Sequence, residues 1–249
     1  MLISSKYQFV FFSTPKCASV AIEWMLKPYS SIHILGTPQL RHTDYREYRQ
    51  YIEPFLRSKI ASDRLESVCL VREPLSWLYS WYRFRSRDEL RDPSSPLHHN
   101  CTAHVNFEQF IEAYISPTPP PFADVRSQFE FVRDERGRCG IDKLFLYETI
   151  EDFVQYMTEK VDAQLSLEAK NVSPRKKQRI TLASWASRII KQRTRTSSPV
   201  VPPAIDPQEY SLPSDLLASL KKHSKDFQLY ELAKSQRYQG QALIAAGSG

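Results

Sequence analysis

Tyr7-Gln8-Phe9-Val10-Phe11-Phe12-Ser13-Thr14-Pro15-Lys16-Cys17-Ala18-Ser19 begins as an almost wholly apolar run and ends as a polar turn. The run has the character of a strand buried on both faces. Ser13 to Ala18 make a loop, and Ser19 can cap a helix through Ala21, Ile22, Trp24 and Met25. The same alternation recurs downstream. Strands are predicted at Ser31–Leu35, Val68–Val71 and Leu144–Tyr147. Helices are predicted near 45–60, with Pro54 bending the segment, after Pro74 through Trp77, Leu78, Trp81 and Tyr82, and over Phe107–Ile115, Ile150–Lys160 and Leu216–Leu232. Strands that alternate with helices imply an α/β fold, a central parallel sheet flanked by helices. Ligands of such sheets bind beyond the carboxyl ends of the strands, which directs attention to loops 13–19 and 72–74.

The chain of 249 residues is 41% apolar and 25% charged, ordinary values for a globular protein with a sizeable core. Residues 1–235 read as a single domain, 170–207 as a basic loop region and 236–249 as a flexible tail. None of the six glycines precedes a lysine, so there is no Walker A loop, and no GxGxxG is present. The four cysteines form no CxxC, which removes zinc ribbons and thioredoxin-type motifs. No apolar run is long enough to span a membrane. Met1 leads almost directly into apolar residues without a basic segment and cleavage site, so no signal peptide is expected. A reduced, cytoplasmic protein is the expectation, and a lumenal Golgi domain is the alternative.

The formal charge of +6 is local. Residues 170–195 carry nine basic side chains and no acids, and without them the remaining net charge is −3. Such a run is most simply a solvated face, but the complete absence of acids favours an anion near it.

Thr14-Pro15-Lys16-Cys17-Ala18-Ser19 combines a strand end, a tight turn, one lysine and a helix N-terminus. Outward N–H groups, the helix dipole and a full charge together make an anion cradle. An ordinary turn with a solvated lysine is the competing reading of this segment alone. The second loop shifts the balance, because Val71-Arg72-Glu73-Pro74 leads into a helix that carries Ser80 two turns on and then Tyr82.

PKxxS after the first of these strands and VREPxxxxxSxY after a later one resemble the paired signature of the sulfotransferases. The likeness is to the carbohydrate branch, near the heparan sulfate 2-O-sulfotransferases and their bacterial relatives. It implies a P-loop-like three-layer sandwich and the donor 3′-phosphoadenosine 5′-phosphosulfate (PAPS), with no metal required. By the same resemblance Lys16 contacts the 5′-phosphosulfate and the bridging oxygen. Pro15, Cys17, Ala18, Ser19 and Val20 complete that loop, and Arg72 and Ser80 hold the 3′-phosphate. Val20 departs from the Thr or Ser of many relatives and lacks their hydroxyl. The family also has a His-x-x-Tyr-x-x-aromatic segment between its donor loops, matched here by His42, Tyr45 and Tyr48, whose histidine is the catalytic base. The match continues through Asp124–Asp134, Leu144–Glu148, Asn171-Val172-Ser173 and Asp226–Tyr230, covering most of residues 7–232. It places Asn171, Ser173 and Arg175 near the donor.

Transfer of a sulfuryl group requires an in-line hydroxyl, a base of near-neutral pKa and compensation of charge on the leaving oxygen. His42 suits the second requirement and Lys16 the third. The expected partner is a hydroxyl-bearing acceptor, an anionic glycan or a small molecule, and no nucleic acid is expected. His98, His99, Cys101 and His104 crowd one loop but lack a second ligand pair at a familiar spacing, so they are read as a loop near the acceptor and not as a metal site. The rivals are a P-loop kinase and a non-catalytic nucleotide or polyanion binder that uses 170–195.

Overall fold

A computed structural model describes residues 1–60, 64–167 and 210–246, with the side chains of the last helix described to Gln236. Five strands form one sheet: β1 (Leu2–Ser4), β2 (Phe9–Phe12), β3 (Ile32–His33), β4 (Glu66–Val71) and β5 (Lys143–Leu146), in the order β3-β1-β2-β4-β5. β2, β4 and β5 are mutually parallel. β1 is antiparallel to both of its neighbours. The sheet is therefore mixed, which corrects the expectation of a wholly parallel one. The cause is local: only residues 5–8 separate β1 from β2, and so short a link can join strands only as an antiparallel hairpin. Gln8 takes a φ of 53° to close it.

The pleat sends alternate residues to opposite faces, and both faces are covered. Phe9, Phe11, Val68 and Leu70 pack with Ile22 and Leu26 of the helix Ser19–Leu26, Trp77 and Leu78 of the helix Pro74–Arg85, and Phe153 of the helix Ile150–Val161. Val10, Phe12, Cys69, Val71 and Leu144 pack on the other side with Tyr48, Leu56, Phe131 and Leu229. Because β2 and β4 are buried on both sides, they show runs of apolar residues instead of alternation. The fold class α/β is thus observed.

Two helical expectations are refined. The segment 45–60 is helical, but residues Tyr48–Ile52 widen into a π turn just before the helix Glu53–Arg57. Pro54 has no N–H to donate, and the wider turn accommodates it. The stretch expected as one helix over Leu216–Leu232 is two, Ser214–His223 and Asp226–Ala246. The break falls at Ser224, whose hydroxyl accepts from the Asp226 N–H, freeing the Asp226 carboxylate for a tertiary role. The second helix continues past Gln236 into the stretch read as a tail. No helix among the described residues is long and apolar enough to cross a membrane.

Candidate functional site

The loop after β2 turns without glycine. Lys16 and Ala18 both occupy the left-handed region, with φ of 65° and 55°. For side-chain-bearing residues this costs on the order of 1–2 kcal/mol each. The Trp77 indole N–H fixes the turn by donating to the Pro15 carbonyl at 2.9 Å. Ala18 then stands at the N-cap of the helix Ser19–Leu26 with no side chain capping it. Ser19 is buried at the first helical position and Val20 half-buried at the second. None of the N–H groups of residues 16–21 makes a hydrogen bond to a described acceptor, so they can serve a ligand anion. The Cys17 side chain points inward, its Sγ 3.6 Å from Gln128 Oε1, and contributes only its N–H to the cradle.

Lys16 carries its ammonium 4.2 Å from the Phe84 ring centroid and 5.6 Å from that of Trp81. Trp81, on the helix Pro74–Arg85, is half-buried and lies beneath this cation. Burial pushes the Lys16 amine down to about 7, and the nearby charges of Arg87 and Arg72 push in the same direction.

Arg72 reaches the same place from the end of β4. It is 5% exposed. Its Nε donates to Ser76 Oγ at 3.0 Å and its Nη1 to the Lys16 carbonyl at 3.3 Å, while the guanidinium lies 4.5 Å from the Tyr147 ring centroid. No carboxylate forms an ion pair with it among the described residues, and its Nη2 edge has no described acceptor. A buried cation without an anionic partner is costly to maintain, which makes this one a candidate to meet an anion. The rest of the VREP sequence is structural. The Glu73 carboxylate caps the helix by accepting from the Leu75 and Ser76 N–H groups at 3.1 and 2.6 Å, and Pro74 occupies the first turn. Ser76 and Ser80 follow Arg72 at successive turns along one helix face.

His42 joins the first loop from behind. Its Nδ1 lies 2.5 Å from the Ser13 carbonyl oxygen. A carbonyl only accepts, so Nδ1 carries the proton and the neutral ring keeps its lone pair on Nε2. Burial lowers the His42 pKa, the Ser13 carbonyl and Glu23 push it up, and the Met1 α-ammonium and Arg41 push it down. Tyr45 and Tyr48, which share its motif, instead pack on Phe12, with ring centroids 5.9 and 5.3 Å away. They belong to the core on that face of the sheet.

Lys16, Arg72 and His42 are thus gathered at one end of the sheet. Asn171, Ser173 and Arg175, with the basic stretch 170–195, lie outside the described residues. The histidine loop does not converge: His98 Nδ1 bonds the Leu90 carbonyl and His104 packs edge-on against Phe122. No group of three metal-binding side chains occurs among the described residues.

Gln128 is the residue whose role the sequence hid. It is 1% exposed, accepts from the Arg72 N–H through Oε1 at 2.8 Å and donates to the Arg72 carbonyl through Nε2 at 2.8 Å. The same Oε1 faces Cys17, so one amide ties the two loops together. Gln128 is held in turn by Asp226, whose carboxylate accepts from the Gln128 and Phe129 N–H groups at 3.1 and 2.7 Å. The only sequence signal was the likeness of Ser127-Gln128 and Asp226 to later segments of the resembled family.

Comparison of the chain with protein-family models, curated proteins and solved structures gives no match.

Proposed function

We propose that this chain is a sulfotransferase that moves a sulfuryl group from PAPS to the hydroxyl of a carbohydrate or small-molecule acceptor, in a P-loop-like sandwich. The observation that carries this reading is Arg72. It is a buried guanidinium, without a carboxylate partner among the described residues, bonded to the carbonyl of the very residue, Lys16, that supplies the second cation. Two cationic loops and a helix N-terminus with free N–H groups fit a ligand with anionic groups at two separated positions.

PAPS brings an activated sulfuryl group. The N–H groups of residues 16–21 and the Lys16 ammonium would hold its 5′-phosphosulfate. The open edge of Arg72 and the Ser80 hydroxyl would hold its 3′-phosphate, with planar, two-point recognition from the guanidinium. As the sulfur–oxygen bond to phosphate breaks and that to the acceptor forms, Lys16 compensates the charge gathering on the leaving oxygen. His42 takes the acceptor's proton at Nε2, the nitrogen left free by the bond to Ser13.

His42→Ala separates binding from chemistry. Nucleotide affinity should hold nearly constant while turnover falls by on the order of 10²–10⁴-fold, the usual worth of a positioned base. Wild-type turnover in that variant would move the base elsewhere.

A further inference from the structure

Glu23 is 4% exposed, an unusual position for a carboxylate on a largely apolar helix. It lies one turn into the helix that follows the Lys16 loop, and it is held from two sides. The Ser13 hydroxyl donates to its Oε1 at 2.7 Å, and Arg41 Nε stands 3.4 Å from its Oε2. Each partner connects to His42. Ser13 is the residue whose carbonyl accepts the hydrogen bond from Nδ1–H, and Arg41 directly precedes His42 in the chain. One buried carboxylate therefore clamps both the acceptor that orients the imidazole and the backbone that carries it.

Resting on the reading of His42 as the base, we infer that Glu23 is the positioning residue for His42, fixing the ring through Ser13 and Arg41 and opposing the positive charge around it. The charged groups facing His42 are few and identifiable. Among the described residues, Glu23 comes from the helix after the loop, Arg41 from its own segment, and the Met1 α-amine, which burial pushes down to about 6, from just before β1, where it donates to Ser13 Oγ at 3.1 Å and to the Arg41 carbonyl at 2.9 Å. Glu23 is the anion among them. With the carboxylate in place, the imidazolium formed after proton transfer is stabilised against the Arg41 charge and against burial. Without it, Nε2 is a weaker base in the same position.

The test reads His42 directly. The full chain has six histidines, and the His42 Cε1–H resonance is assigned by its loss in His42→Ala. In Glu23→Gln, which keeps an oxygen for the Ser13 hydroxyl, the titration midpoint of His42 should move to lower pH than in the wild type, and the acidic limb of the kcat/KM profile should move with it. Arg41→Gln should move both to higher pH. A mere loss of packing would not give opposite signs for the two partners. A folded Glu23→Gln protein whose His42 midpoint stays at the wild-type value overturns the inference. Should Glu23→Gln fail to fold, a His42 midpoint that stays or falls in Arg41→Gln overturns it. Failure of the base assignment shows itself separately, as wild-type turnover in His42→Ala, and would remove the catalytic meaning of Glu23 whatever the titration gives.

Discussion

Lys16 offers a prediction in which binding, stability and pH are linked by one charge. Its amine is pushed down to about 7, by burial first and then by Arg87 and Arg72, so near neutrality the free protein holds it only part-protonated. A phosphosulfate needs the ammonium form. Nucleotide binding should therefore take up a proton, and the Kd for 3′-phosphoadenosine 5′-phosphate (PAP) should weaken about tenfold per pH unit above about pH 7. Isothermal titration calorimetry in buffers of different ionisation enthalpy measures both the proton uptake and the slope. Lys16→Met should bind weakly at every pH and lose the slope. The fold carries the corresponding cost. Because the folded pKa lies below the unfolded 10.5, the unfolded chain binds more protons between about pH 7 and pH 10.5, and stability rises with pH across that window. Removing the half-buried charge should raise stability at pH 7 by roughly 0.5–2 kcal/mol, typical of relieving functional strain, or about 1–8 °C in Tm for a chain of this size. A wild-type Kd that is flat between about pH 7 and pH 9 would refute the reasoning, since Lys16 would then be fully charged despite its surroundings.

Arg72→Ala should weaken PAP binding far more than binding of the 3′-dephospho analogue, by about 2–3 kcal/mol for a lost charge-assisted contact; Arg72→Lys should rescue little, and equal losses for both nucleotides would make Arg72 structural. Burial raises Asp226 from the ordinary 3.8 to about 6, against the pull of the Phe129 and Gln128 N–H groups. Its folded form thus binds more protons than the unfolded chain between those values, so the contribution of this group to stability is full below about pH 4 and is lost as pH rises to about 6, a change on the order of 3 kcal/mol. Denaturant titrations across that window should show the downward trend in wild type and its loss in Asp226→Asn; an unchanged slope in the variant would exclude Asp226 as the source.

The parts of this fold legible in the sequence are those whose physics is local. β2 and β4 are runs of apolar residues because both faces are covered, and Pro74 announces a helix start because its fixed φ acts within one turn, whereas the Glu73 cap became visible only in the structure. β1 was not legible, since three residues carry no period. The break before Asp226 was hidden for another reason: its carboxylate satisfies N–H groups nearly a hundred positions away in the chain. Gln128 and Glu23 look like surface residues on short helices, and only the packed molecule shows them nearly wholly buried between the loops. In the His42 segment the spacing grouped Tyr45 and Tyr48 with the histidine, while the structure packs both rings against Phe12.

The central claim, that Lys16 and Arg72 form one site for a nucleotide phosphorylated at both its 3′ and 5′ ends, is tested most directly by thermal denaturation with PAP. At a hundred times its Kd, PAP should add about 2.7 kcal/mol, roughly 5–10 °C in Tm, and a metal chelator should leave the shift intact. No shift at millimolar PAP, or a shift that appears only with ATP and Mg²⁺, would contradict the account.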